Sequence, residues 1–226
     1  MANWCHTTYK IYGPKEQRDK LVTALKELSS SEKPRVDNGL GNLWLGCLVD
    51  YFGGDWKKIY CRGDITDWNE TDEYIQAETL TAIGEMGGVR EFLEEQLPGL
   101  TIYYLSDEPG MQEYYTNDET GDIFHVKYVL DAILFSSDID LESKYFETIE
   151  EAANYLNNHG LKCEPTEESI CAAVKKFSDE HEDDSISFNK FRIISKSTPP
   201  KDLSKKATDP DEDEDIAAFL NKLSTE

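Results

Sequence analysis

The sequence is short of positive charge. Its 226 residues hold 23 Lys and Arg against 46 Asp and Glu, a net charge of −23. Residues 196 to 226 contain five Lys and eight Asp or Glu, a net of −3, so the first 195 carry −20. The acidity therefore belongs to the part expected to fold and not merely to a tail. Binding phosphates requires Lys or Arg to replace counterions, so the deficit argues against direct nucleic-acid binding. The same sign argument disfavours an anionic membrane surface. Basic partners or cations are the natural complement. Long apolar runs are lacking too: none approaches the roughly 18 residues of a membrane-crossing helix, and no segment has the form of a signal peptide. Cysteine is sparse and unpatterned. Cys5, Cys47, Cys61, Cys163 and Cys171 are odd in number and show no CxxC spacing, and the four histidines do not join them at zinc-ligand intervals. Their neighbours are apolar or strand-like, where a free thiol behaves as a small hydrophobe. A reducing, cytoplasmic setting is expected.

What is present is organised around Leu100 to Leu134, read as three consecutive antiparallel strands. Leu100, Ile102 and Tyr104 alternate with their neighbours, and Gln112 to Thr116 follows the Pro109-Gly110 break. After the turn residues Asn117 to Asp122 comes a run with Phe124, Val126, Tyr128, Leu130, Ala132 and Leu134 on one face, suited to the middle of a sheet. Upstream, Asn3 to Tyr12 reads as a strand with Cys5, Thr7, Tyr9 and Ile11 on one face. A helix over about 14–29 buries Leu21, Val22, Leu25 and Leu28. Leu43, Leu45, Cys47, Val49 and Tyr51 predict a second strand, Gly53-Gly54-Asp55 a hairpin and Trp56 to Ile65 its return strand. An acidic loop spans Trp68 to Asp72, a strand Tyr74 to Thr81, and a helix about 84–97. These elements imply an α+β sandwich with helices on one face of an antiparallel sheet.

Downstream, Thr148-Ile149-Glu150-Glu151 fits a capping box, and Thr166 caps a further helix. Ile186 to Ile194 alternates like an edge strand. Lys196 to Asp215 is linker-like, with Pro199-Pro200 and the run DPDEDED, and Ile216 to Leu223 has one apolar helical face. The expected organisation is an α+β domain over 1–135, a helical extension with a possible edge strand over 136–195, and an acidic linker with a short amphipathic helix over 196–226.

Several short motifs carry a family likeness: Asn3-Trp4-Cys5 before a strand that ends at Gly13-Pro14, Arg62-Gly63-Asp64-Ile65, and Glu78-Thr79-Leu80-Thr81-Ala82. Asp107-Glu108-Pro109-Gly110, Asn117-Asp118 and Gly121 continue it, and Tyr145-Phe146-Glu147-Thr148 extends it. With these, roughly residues 1 to 135 resemble the Api92-like/YubB-like ferredoxin-like domain family of phage, plasmid and bacterial proteins. In that family a Trp commonly follows the strand before the second helix, whereas Ile83 stands here. The resemblance implies a ferredoxin-like antiparallel sheet with two helices on one face, followed here by a C-terminal helical extension and flexible acidic tail. It implies no reaction, no catalytic residues and no iron–sulfur cluster.

Asp107, Glu108, Glu113, Asp118, Glu119 and Asp122 cluster around the two meander turns. Hard cations take carboxylate oxygens, so Asp107, Glu108, Asp118 and Asp122 are candidate metal ligands, although turn formers with solvated charge explain the cluster as well. A paired-carboxylate hydrolase would draw on Glu78, Glu108 or Asp118, and a thiol nucleophile on Cys5 or Cys61 with His6 or His125. Strand alternation puts Cys5 and His6 on opposite faces. No coherent catalytic set emerges, and no cofactor is expected. Trp4, Trp44, Trp56 and Trp68 fall at or near strand positions, so one sheet face has the means to expose aromatics. The tail residues Ile216, Phe219, Leu220 and Leu223 are candidates for partner binding, or for folding back on their own domain. The expected function is that of a non-enzymatic acidic binding protein, an accessory of a mobile element or phage. It binds a basic protein partner, as a mimic of nucleic-acid charge. The alternative is a small metal-dependent hydrolase using carboxylates of the 107–122 turns.

Overall fold

The computed structural model of the protein describes residues 3–135 and 139–195. It is a mixed α/β structure with mostly antiparallel pairing, as an α+β protein requires, and divides into two compact units, one up to Glu113 and one over Tyr114–Ile194. Among the described residues no helix is long and apolar enough to cross a membrane.

The first unit runs β1 (Trp4–Tyr12), α1 (Lys15–Ser30), α2 (Leu45–Tyr51), β2 (Gly63–Glu70), β3 (Tyr74–Ala82), α3 (Gly87–Gln96) and β4 (Thr101–Glu108). Its strands lie in the order β2-β3-β1-β4, each antiparallel to its neighbour. Strict alternation decides the faces: Cys5, Thr7, Tyr9 and Ile11 are buried while Trp4, His6, Thr8, Lys10 and Tyr12 are only half-buried. Leu21 and Leu25 of α1, Leu45 and Leu48 of α2, and Val89 and Leu93 of α3 surround one apolar cavity of about 50 Å³ with Tyr9, Ile11, Ala77 and Ile102. All three helices therefore cover the same sheet face. Each fully buried Leu or Val there contributes roughly 1.5–3 kcal/mol. The Arg18 guanidinium ties α1 to the β2–β3 turn, donating to the carbonyls of Gly13, Thr71 and Asp72.

Several expectations fail between residues 43 and 72. The predicted second strand is α2: Leu45, Gly46, Cys47, Leu48 and Val49 are buried consecutively, which a half-buried strand does not do. A short apolar run satisfies both periods, and here tertiary packing selects the helix. Gly53, at φ +80, turns the chain away after α2 in place of a hairpin. The second strand then begins at Gly63 and includes Trp68 to Glu70, expected as loop.

The second unit contains β5 (Glu113–Thr116), β6 (Tyr128–Ile133), β7 (Lys144–Phe146), α4 (Ile149–Asn158), α5 (Glu167–Glu180), β8 (Ser185–Lys190) and β9 (Arg192–Ile193). β5 pairs in parallel with β9, and a separate three-stranded sheet runs β7-β6-β8. The three-strand meander is corrected accordingly. β6 does hold the middle of a sheet, but its partners are β7 and β8. It also starts late, because the Asp118 carboxylate captures the N–H groups of Ile123 and Phe124 and pins that segment as a loop. Tyr128, Leu130, Phe146, Leu156, Ile170, Val174, Phe177, Ile186 and Phe188 form the core under α4 and α5. Thr148 and Thr166 cap these helices, their hydroxyls accepting the N–H groups of Glu151 and Ser169. The Glu151 carboxylate reaches back to the Glu147 N–H.

Candidate functional site

The face of the first-unit sheet turned away from the three helices is read from strand register. Tyr74 opposes Tyr12, which opposes Thr101. Two residues along, Asn69, Gln76, Lys10 and Tyr103 form a row across four strands. The next row is Asp67, Glu78, Thr8 and Leu105, and the last is Asp64, Leu80, His6 and Asp107. Successive rows stand roughly 6.5–7 Å apart along the strands.

A β-bulge decides what the edge strand contributes. Asp64 and Ile65 pair with Leu80 and Thr79, Thr66 is the extra residue, and pairing resumes at Asp67 with Glu78. The extra residue flips the alternation. Trp68 consequently opposes Ala77 on the helix side, where the Lys26 ammonium lies 6.0 Å from its ring centre. Asp67 and Asn69 go to the open face instead.

The result is a face with an aromatic end and an acidic end. Tyr12 and Tyr74 have ring centres 5.2 Å apart, and Tyr103 meets Tyr12 edge-on at 6.0 Å. The Lys10 ammonium sits 5.5 Å from the Tyr74 ring centre. At the acidic end Asp67 directly opposes Glu78, a like-charge cross-strand pair that is intrinsically unfavourable. His6 Nε2 lies 3.6 Å from the Glu78 carboxylate, with the two side chains 44% and 33% exposed. Asp64 differs from these: burial alone pushes its carboxyl up from the usual range to about 6. Four carboxylates, three tyrosines, one lysine and one histidine thus share a sheet surface that none of the described helices of the first unit covers.

The chain matches no family model, no curated protein and no solved structure.

The sequence-predicted candidates divide. Asp107 belongs to the open face, opposite His6. Glu108 is buried, with its two oxygens accepting the N–H groups of Gly110 and Met111. Asp118 is likewise buried, taking N–H groups from Gly121, Ile123 and Phe124 and the Thr120 hydroxyl. Both carboxylates build turns. Asp122 is exposed, and among the described residues no group of three or more His, Cys, Asp or Glu converges as a metal site would need. Cys5 and His6 do fall on opposite faces. The Cys5 thiol is fully buried against Ser106 Oγ at 2.9 Å, and desolvation raises its pKa. Burial pushes Cys61 up to about 12, which rules out a ready thiolate. Contrary to expectation Cys171 is exposed, since it lies on the outer side of α5. Ile216, Phe219, Leu220 and Leu223 lie outside the described residues.

On the helix side, Glu85 accepts from Arg90 Nε at 3.0 Å and from the Tyr9 hydroxyl at 3.3 Å, and the guanidinium lies 5.4 Å from the Tyr104 ring centre. Desolvation raises the Glu85 carboxyl despite Arg90. This network closes one wall of the apolar cavity and holds the loop before α3, where Ile83 takes φ +78. Sequence reading missed it. Its signal was Arg90 and Glu85 flanking the start of a helix whose apolar stripe would otherwise be uninterrupted.

Proposed function

We propose that the chain is a non-enzymatic acidic binding protein whose open sheet face docks a basic protein partner. The observation that carries this reading is the Asp67–Glu78 opposition on the open face, with Asp64 and Asp107 in the next row and His6 Nε2 3.6 Å from the Glu78 carboxylate. Like charges placed opposite one another cost about 0.2–1 kcal/mol relative to a neutral pair. A cationic partner recovers that cost, and the net charge of −23 adds long-range attraction for it.

The strand order β2-β3-β1-β4 with two helical crossovers is the arrangement a ferredoxin-like domain has, and it supports that part of the proposal. The likeness to the Api92-like/YubB-like family enters on the same footing. An accessory role in phage–host or plasmid–host conflict, with the acidic surface mimicking nucleic-acid charge, follows from that likeness and the charge together. The hydrolase alternative is not favoured, because Glu108 and Asp118 are occupied in turns.

The test is a charge-reversal comparison. The double variant Asp67→Lys/Glu78→Lys and the control Glu32→Lys/Glu95→Lys, at exposed positions off this face, change net charge equally. Affinity for an arginine- and lysine-rich polypeptide, read by calorimetry, falls at least about tenfold more in the first variant than in the second. Equal losses in both would mean that the acidity acts diffusely and that the face is no site.

A further inference from the structure

Resting on that reading, the geometry points to a narrower partner class: we propose that the open face takes an extended segment carrying two arginines four residues apart. Three features of the face select it.

The first is the tyrosine cluster. Tyr12, Tyr74 and Tyr103 meet across three strands, and the chain's own Lys10 already lies 5.5 Å from one ring centre. The cluster thus holds a cation against an aromatic face within the molecule itself. A planar guanidinium stacks on such rings better than an ammonium, being delocalised and weakly hydrated.

The second is the Asp67–Glu78 pair. Two carboxylates opposed across neighbouring strands present several acceptor oxygens at close quarters. An arginine answers them with its fixed fork of donors, where a lysine offers a point charge.

The third is spacing. Tyr74 and Glu78 are four residues apart in the same strand and on the same face, roughly 13 Å. A segment laid along β3 in extended conformation repeats that spacing. Its residues i and i+4 point to the same side, so one arginine reaches the tyrosines while the other reaches the carboxylates. A separation of three residues puts the second side chain on the wrong face.

Aromatic rings on an open sheet also stack nucleic-acid bases. Here the phosphates of a strand running past the tyrosines would meet Asp67, Glu78 and Asp107. The charge therefore favours the peptide.

The experiment uses the full chain and four probes: Arg-Thr-Val-Thr-Arg with blocked ends, its Lys-for-Arg counterpart, Arg-Thr-Val-Arg, and a single-stranded RNA oligonucleotide. Binding is followed by amide chemical shifts. The first peptide binds about tenfold tighter than either of the other peptides, RNA does not bind, and Tyr103→Leu, folded by circular dichroism, brings the first peptide down to the lysine level. Equal binding of all three peptides, or an unchanged preference in Tyr103→Leu, overturns the arginine assignment while leaving the acidic docking face intact. Absence of any peptide binding, or tighter binding of RNA, overturns the docking face as well.

Discussion

At the scale of single residues, Asp64 and Arg90 show opposite ways of keeping a charge under cover. Asp64 has its folded pKa raised from 3.8 to about 6 by desolvation alone. The folded chain therefore binds more protons than the unfolded chain between about pH 4 and 6, and stability falls as pH rises through that window. The loss is on the order of 2–3 kcal/mol if the shift is complete. Asp64→Asn should flatten this part of the stability–pH curve and raise the melting temperature at pH 7, as thermal melts from pH 4 to 7 would reveal. An unchanged slope would show that Asp64 is better solvated than its surroundings indicate. Arg90 is the counter-ion of the buried Glu85. Arg90→Ala strands that carboxylate, at a cost of about 3–5 kcal/mol. The cost is smaller at pH 5 than at pH 8, since Glu85 can then take up a proton. Urea titration at the two pH values separates this from a loss of packing, which would be equal at both.

At the scale of elements, the bulge at Thr66 does the most to define the site. Removing Thr66 makes Ile65 and Asp67 consecutive opposite Thr79 and Glu78, so Asp67 and Asn69 keep the open face and Trp68 keeps the helix side. The deletion variant should therefore keep its affinity for basic polypeptides in calorimetry, as should Thr66→Ala, and a loss confined to the deletion would show that the face depends on the local twist of the bulge. Gly63, at the head of the same strand, has φ +151, and a Cβ there would stand 2.5 Å from the Leu80 carbonyl oxygen. In the second unit, Thr148→Ala removes the cap of α4 and should lower stability by about 1 kcal/mol in a denaturant titration. The Thr148 cap was legible in the sequence because Thr followed three residues later by Glu states its own geometry. The strands β1, β3 and β4 were legible for a similar reason, their alternation being clean over eight or nine residues. The α2 segment was not, since Leu43 to Tyr51 fits either period and only the packing of Leu45, Leu48 and Val49 chooses between them. The site was half-legible. The parity that buries Cys5, Thr7, Tyr9 and Ile11 also exposes His6, Lys10 and Tyr12. The bulge that brings Asp67 opposite Glu78 leaves no mark in Ile65-Thr66-Asp67. The conspicuous acidic turns at 107–122 proved to be partly structural, because buried Glu108 and Asp118 satisfy backbone N–H groups that a tight turn leaves over.

At the scale of the molecule, charge and face act together but over different ranges. The net −23 reaches about 8–10 Å into physiological saline before screening removes it. It should therefore set the association rate, which falls steeply with added salt. The contacts on the face should set the dissociation rate. Stopped-flow mixing with a basic polypeptide at several ionic strengths divides the two, and a salt-independent association rate would remove steering from the account. The central claim is that binding occurs on one surface, the side of the first-unit sheet away from its helices. Amide chemical-shift mapping of the isotope-labelled full chain, titrated with a short arginine-rich peptide, tests this most directly. The account predicts shifts at alternate residues of β1, β3 and β4 and along 67–70, centred on Glu78, Lys10 and Tyr103, with α1, α3 and the second unit unmoved. Shifts spread over the helices, or confined to Tyr114–Ile194, would contradict it.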